Sequence, residues 1–367
     1  NALLDDRPAL RVVEMAGEDG RQAVRLVRRR AREWGLDQKR IGIMGFGRIG
    51  RNIFRILHGR EDVEVAAIVD IADPQALAYL LRFDTVHGRF PEPVTVKGEF
   101  MYVRGRQIKM ITKREPGEVN WGELGVTMVI ESTGQYRFRE QLQKHLDAGA
   151  KRVILTVPPR DALDATIVMG VNDHTLTRGH RIISNASCTA NAVAPIVKIL
   201  NEAFGIEKGM LTTVHAYTND QRLADVPHTE MRRSRAAAEN IIPTTTYSPQ
   251  VIEAMLPALK GRLDGMAMNV PVPDGSIADL VTLMSRPVTI EEVNEIVRSS
   301  AASKYKTIIE YTEEPIVSSD VIGNPHSGIF DSLSTQVVGG NLLKTLTWYD
   351  NGWGYANRVV ELVWRLA

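Results

Sequence analysis

The chain has 367 residues, 44% hydrophobic and 24% charged, a size that holds about two domains with ordinary buried cores. Its 45 Lys and Arg stand against 44 Asp and Glu, so the net charge of +1 carries no broad signal for a nucleic-acid partner. No apolar run reaches the roughly 18 residues of a membrane span, and a single cysteine excludes an intrachain disulfide, which suits a reducing, cytoplasmic setting.

Residues 1–38 read as an N-terminal extension, partly helical. Val24, Val27, Ala31 and Trp34 fall at near-helical spacing among arginines, the pattern of a basic amphipathic helix. Glu14, Glu18, Asp19, Glu33 and Asp37 interleave acidic charge. They favour a surface helix packed on its own domain over a membrane or acidic-partner helix, and they argue against a transit peptide; no secretory signal is read there.

Ile41 to Met44 form a short apolar strand candidate, followed by Gly45-Phe46-Gly47-Arg48-Ile49-Gly50 and a helical run from Arg51 to Leu57. This is the dinucleotide fingerprint between a strand and a helix. The first glycine permits a tight turn, the second lets backbone approach a pyrophosphate, and the third allows close helix packing. A second strand, Val63 to Val69, ends at Asp70, about 20 residues past the last glycine, where a carboxylate meets a ribose hydroxyl pair and repels the extra phosphate of NADP. NAD is the expected cofactor. The competing role for Asp70 is capping the Ala72-Asp73 turn. Strands at Val126 to Glu131 and Arg152 to Thr156, with Ser132-Thr133-Gly134 between, continue a right-handed parallel sheet.

The single cysteine, Cys188, lies in Ser184-Asn185-Ala186-Ser187-Cys188-Thr189-Ala190-Asn191, and His215 follows in Thr212 to Thr218. A lone cysteine is commonly a small apolar core residue. Here Ser187 and Asn185 precede a helix expected from Cys188 to Ala203, so the thiol sits in a first turn whose free N–H groups favour a thiolate. Pro195 interrupts the pattern beyond that turn. Longer strands follow at Met210 to Thr218, Asp264 to Val272, Ile277 to Ser285 and Leu342 to Tyr349. Helices are expected at Pro249 to Lys260 and at Thr289 to Lys304, the latter opened by the capping-box pair Thr289 and Glu292. The fold class is α/β: a dinucleotide-binding domain joined to an α+β domain with a mostly antiparallel sheet.

From residue 39 onward the chain resembles the phosphorylating glyceraldehyde-3-phosphate dehydrogenase family. The likeness rests on Gly45 to Arg51, Ser184 to Thr189, Arg235 to Thr246 and Trp348-Tyr349-Asp350-Asn351. It implies a Rossmann domain, 39–187 with 351–367, a catalytic domain, 188–350, and a homotetramer acting in glycolysis or gluconeogenesis. By that resemblance Cys188 attacks the aldehyde of glyceraldehyde 3-phosphate and His215 takes the thiol proton. Oxidation by NAD then leaves a thioester, which inorganic phosphate converts to 1,3-bisphosphoglycerate. The resemblance places Gly45, Phe46, Gly47, Arg48, Ile49, Asp70, Ile71 and Ser132 around the cofactor and Asn351 on its nicotinamide carboxamide. Pro227 and Ile71 fit an NAD-preferring pattern. Ser187, Thr189, Thr218, Asp220, Arg233 and Thr246 match residues around the two anion sites. It implies no metal.

The chain departs from the family at both anion sites. Asn269 stands where an arginine usually contacts the substrate phosphate, losing charge and the planar fork. Tyr247 stands where a glycine usually lets inorganic phosphate approach. Gly352 replaces an acidic residue, Met44 an asparagine and Ala192 a second cysteine. Arg232, Arg233 and Arg235 are candidates to supply the lost charge. Asn269 and Tyr247 raise the alternative of another phosphorylated aldehyde, such as erythrose 4-phosphate. With residues 1–38 they also raise that of an NAD-binding scaffold with little turnover.

Overall fold

The computed structural model describes residues 39–366, and the amphipathic helix expected within 1–38 lies outside them. Two sheets organise the rest. Strands β1 (Lys39–Met44), β2 (Val63–Asp70), β3 (Val94–Lys97), β4 (Phe100–Val103), β5 (Arg106–Thr112), β6 (Met128–Glu131), β7 (Arg152–Leu155), β8 (Ala165–Thr166) and β9 (Ile182–Ser184) form a nine-stranded sheet. Its order is β8-β9-β7-β6-β1-β2-β5-β4-β3. From β8 to β5 every pairing is parallel, and β4 and β3 extend the edge antiparallel.

Helix α1 (Arg48–Leu57) buries Ile53, Phe54 and Leu57 against this sheet. It begins three residues before the expected Arg51. A Cβ at Gly50 would run into the Gly45 carbonyl oxygen, so only glycine allows the first turn to sit over the loop. After β2, α2 (Pro74–Arg82) is capped by Asp73, whose carboxylate accepts from the amides of Gln75 and Ala76 at 2.8 and 3.3 Å. Helix α3 (Arg139–Asp147) lies between β6 and β7.

Helix α4 (Cys188–Phe204) joins the two halves. Ser187 caps its start, Gly205 at φ +70° ends it, and Pro195 sits inside it without breaking it. It is buried on nearly all sides, with Ala190, Val193, Ile196, Val197 and Leu200 in the main core. Each large aliphatic side chain there contributes roughly 1.5–3 kcal/mol.

Seven more strands build the second sheet: β10 (Ile206–Ala216), β11 (Ile242–Thr244), β12 (Leu263–Val270), β13 (Ser276–Met284), β14 (Ile309–Thr312), β15 (Gly328–Val338) and β16 (Leu342–Tyr349). Their order is β11-β12-β10-β13-β16-β15-β14, antiparallel except for β10 with β12 and β14 with β15. Helix α5 (Ser248–Met255) is shorter than expected, because Pro257 opens a separate turn at Pro257–Leu259. Helix α6 (Ile290–Ala302) carries the expected capping box: Thr289 Oγ1 accepts from the Glu292 amide at 3.1 Å and Glu292 accepts from the Thr289 amide at 3.0 Å. The last helix, α7 (Trp353–Arg365), returns to pack on α1, burying Tyr355, Val359, Leu362 and Val363. Among the described residues no helix is long and apolar enough to cross a membrane.

Candidate active site

A cleft of about 730 Å³ opens where the C-terminal ends of β1, β2 and β6 meet the start of α4, the switch-point position at which open parallel sheets bind ligands. Gly45, Gly47, Arg48, Ile49, Asp70, Ile71, Ser132 and Asn351 line it, together with Ser187, Cys188, His215, Thr218 and Asp220. Each fingerprint glycine has its own reason. Gly45 adopts φ +89°, and a Cβ there would lie 2.6 Å from the Thr133 amide nitrogen. At Gly47 a Cβ would meet nothing within 4 Å, so that backbone stands open to the cleft. Gly50 sits directly on Gly45.

Asp70 is anchored at both oxygens. Oδ2 accepts from the Phe46 amide at 2.7 Å and Oδ1 from the Ala72 amide at 3.0 Å. The carboxylate thus caps the following turn and pins the fingerprint loop to β2 while still facing the cleft. Phe46 itself is buried and takes part only through its backbone. Ser132 donates to the carbonyls of Met44 and Gly45 at 3.0 and 2.7 Å, closing the loop from the β6 side. Asn351 is held by Ser276: the Ala216 amide donates to Ser276 Oγ at 3.0 Å, and Ser276 Oγ donates to Asn351 Oδ1 at 2.8 Å. That assignment leaves the Asn351 amide nitrogen as the free donor. An open glycine backbone at a helix start, a strand-end carboxylate and an oriented amide fit a dinucleotide.

Cys188 opens α4, where Ser187 Oγ accepts from the Ala190 amide at 3.0 Å. Its Sγ lies 3.4 Å from His215 Nε2 at the end of β10. The His215 Nδ1–H donates to the Ala216 carbonyl at 2.6 Å, which leaves Nε2 as the acceptor facing the thiol. Burial pushes Cys188 up to about 11, the nearby Asp274 adds to the rise, and the pull of the Thr189 amide and hydroxyl only offsets part of it. Burial also holds His215 below its ordinary value. The 3.4 Å approach places Nε2 where it can accept the thiol proton.

The other anion-site candidates scatter. Thr189 is buried, its hydroxyl bonded to the Tyr349 hydroxyl at 2.9 Å, and it does not line the cleft. Arg233 is engaged by Asp220, by Glu230 at 3.2 Å and by Thr244 at 3.0 Å. Arg235 pairs with Asp225 at 3.1 Å. Asn269 lies on β12 in register with His215, buried and away from the cleft wall. Thr246 Oγ1 bonds to Ser248 Oγ at 3.2 Å, and Tyr247 lines a neighbouring cavity.

Several supporting contacts around the pair escaped the sequence reading. The buried Tyr349 hydroxyl bridges Thr189 on α4 and Thr213 on β10, at 2.9 and 2.7 Å, and its ring packs edge-on to His215. Ala186, two residues before the thiol, holds φ +58°, a strained value for a non-glycine residue. Its amide donates to Ser184 Oγ at 3.0 Å and its carbonyl accepts from the Tyr355 hydroxyl at 3.3 Å.

Comparison with known proteins shows the family of the chain. Residues 39–139 match the glyceraldehyde 3-phosphate dehydrogenase NAD binding domain, and residues 187–351 match the C-terminal domain of the same name. The chain is similar to glyceraldehyde-3-phosphate dehydrogenase of Geobacillus stearothermophilus, 50% identical over 324 residues, covering 88% of this chain and 96% of that protein. Its counterpart from Streptomyces coelicolor is 52% identical over 326 residues, covering 88% and 97%. Glyceraldehyde-3-phosphate dehydrogenase 1 of Bacillus subtilis is 49% identical over 324 residues, covering 88% and 96%.

Proposed function

The chain belongs to the glyceraldehyde-3-phosphate dehydrogenase family, and we propose that Cys188 and His215 carry its reaction, the NAD-dependent oxidation and phosphorylation of glyceraldehyde 3-phosphate. The observation that carries this reading is the 3.4 Å approach of Cys188 Sγ to a His215 whose tautomer leaves Nε2 free to accept.

Sγ attacks the aldehyde carbon as the thiol proton passes to His215 Nε2, giving a hemithioacetal oxyanion on Cys188. A bound NAD supplies a hydride acceptor, and with that chemistry the adduct becomes a thioester. A phosphate oxygen then attacks the thioester carbon, the C–S bond breaks, and the departing sulfur recovers the proton from His215, releasing an acyl phosphate. Gly45, Phe46, Gly47, Arg48, Ile49, Asp70, Ile71 and Ser132 hold the cofactor through backbone donors and the Asp70 carboxylate, and Asn351 orients its carboxamide end. Ser187 and Thr218 offer hydroxyls to phosphoryl oxygens from the cleft wall, where Asp220 serves by fixing Arg233.

The dinucleotide domain takes in 39–187 and 351–367, and 188–350 supply the catalytic chemistry. The family premise favours a cytoplasmic homotetramer, which light scattering of the purified protein checks. The deciding assay is NADH formation by reduced protein with NAD and glyceraldehyde 3-phosphate, with and without inorganic phosphate, beside Cys188→Ser. Sustained, phosphate-dependent turnover lost in the variant supports the reading; turnover retained in Cys188→Ser ends it.

A further inference from the structure

A phosphorylating enzyme must hold phosphoryl oxyanions near Cys188, yet two of the arginines offered for the missing charge are paired with carboxylates. Arg233 is neutralised by Asp220 and Glu230, Arg235 by Asp225, and position 269 carries no charge. Beyond Pro158, a wall residue shared with the main cleft, lies a second cavity of about 510 Å³ lined by Arg137, Arg160, Tyr247 and Gln250. Arg137 donates through Nε and Nη2 to the Pro158 carbonyl at 2.9 and 2.7 Å, leaving Nη1 without a partner among the described residues. The Arg160 guanidinium stands 5.8 Å from the centre of the Tyr247 ring. Among the described residues neither arginine forms an ion pair. Burial and the Arg160 charge both press Arg137 below its ordinary value, with only partial relief from Tyr247 and Asp220.

Two like charges converging on a cavity without a carboxylate between them repel each other until an anion enters. This cavity also connects to the nucleophile's own cap. Ser187 Oγ, the N-cap of α4, lies 3.2 Å from Ser248 Oγ, the first residue of α5, and Ser248 Oγ lies 3.2 Å from Thr246 Oγ1; Tyr247 sits between them in sequence.

We propose that Arg137, Arg160 and the Tyr247 hydroxyl form a phosphoryl-anion subsite beside Pro158, standing in for the charge absent at Asn269. The occupant is a phosphate dianion, from inorganic phosphate or from the phosphorylated aldehyde. The subsite rests on the phosphorylating reading above.

The test uses the full chain with Arg160→Gln, Tyr247→Phe, Arg137→Lys and the Arg137→Gln/Arg160→Gln pair, each checked for folding by thermal melting. KM for inorganic phosphate and KM for glyceraldehyde 3-phosphate are measured separately from kcat. In parallel, phosphorus NMR follows inorganic phosphate added to resting protein. One lost charge-assisted bond raises the affected KM about tenfold, and the pair about a hundredfold. Arg137→Lys, which keeps the charge, stays nearer the parent. A rise confined to inorganic phosphate assigns the subsite to the attacking nucleophile, and a rise confined to the aldehyde assigns it to the substrate's own phosphoryl group. Both KM values within twofold of the parent in folded Arg160→Gln and Tyr247→Phe overturn the proposal. If the parent shows no turnover, the phosphorylating reading fails by itself. Phosphate line-broadening present in the parent and lost in Arg160→Gln then sustains the anion subsite, while broadening equal in both removes it.

Discussion

The imidazole of His215 and the carbonyl of Ala216 are joined by a 2.6 Å hydrogen bond that decides which nitrogen faces the thiol. With Nδ1 committed as donor, Nε2 is left to accept the Cys188 proton in the proposed reaction, and His215→Asn is expected to lower kcat about 10²- to 10⁴-fold in stopped-flow NADH formation. His215 must be neutral to act, and burial holds its pKa below the ordinary value. The acid limb of kcat/KM therefore falls below pH 6.5, the ordinary imidazole value. In His215→Asn, alkylation of Cys188 by iodoacetamide should keep rising with pH toward about 11. A plateau near neutrality would mean that the start of α4 outweighs burial after all.

Asp70 holds the loop and faces the cofactor cleft, so its replacement acts twice. Asp70→Ser loses the charged acceptor of the Phe46 amide and is expected to raise KM for NAD about tenfold or more. It also removes the carboxylate that repels a ribose phosphate, so kcat/KM for NADP should rise relative to NAD. Steady-state kinetics with both cofactors checks this. An unchanged cofactor ratio would assign discrimination to another residue of the cleft.

The parts of the site legible in the sequence are those whose chemistry is local. Gly45, Gly47, Gly50 and Asp70 carry their roles in spacing alone, and Ser187 next to Cys188 shows a helix start. Four strands of the second sheet emerge within a few residues of their expected positions, whereas Ile242–Thr244, Ile309–Thr312 and Gly328–Val338 went unread. The supports of the site depend instead on register between distant strands. Tyr349 reaches Thr189 and Thr213 because β16 pairs with β13, and β13 with β10. Ser276 reaches Asn351 for the same reason. No spacing along the chain reports such contacts. The strands from Val94 to Thr112 went unread although the turn residues Gly98, at φ +58°, and Arg104 and Gly105, at φ +52° and +74°, mark their hairpins.

Tyr349→Phe keeps the ring beside His215 and deletes only the hydroxyl. Thr189 and Thr213 are then left buried without that partner, at a cost of about 1–3 kcal/mol in chemical denaturation. The first turn of α4 also loses its tie to β10, so kcat should fall severalfold with KM for NAD little changed. A loss of stability with kcat intact would make Tyr349 a core residue only.

Gly352 and Asp274 account for a pH effect on stability. A Cβ at Gly352 would stand 3.5 Å from Asp274 Oδ2 and from Asp350 Oδ1, so the missing side chain leaves two buried carboxylates facing each other. Asp350 is satisfied by the amides of Gly323, Gly352 and Trp353, whereas Asp274 Oδ2 has no hydrogen-bond partner among the described residues. His87 gives it little: its Nε2 is 3.9 Å away, takes the Asn52 amide at 3.1 Å, and burial holds the ring below its ordinary pKa. Burial first, then the Asp350 charge, lifts Asp274 to about 7, with the charge of Arg48 opposing. A carboxyl with a raised folded-state pKa contributes stability that is fully present below the ordinary carboxylate pKa and lost as pH rises through about 7. Asp274→Asn should therefore melt higher than the parent at pH 8, nearly level with it at acid pH, and show a flatter profile between. Removing this charge also lowers the Cys188 pKa, since Asp274 helps to raise it. Scanning calorimetry across that range decides the matter: parallel profiles for the two proteins would show that Asp274 keeps the ordinary carboxylate pKa in the fold.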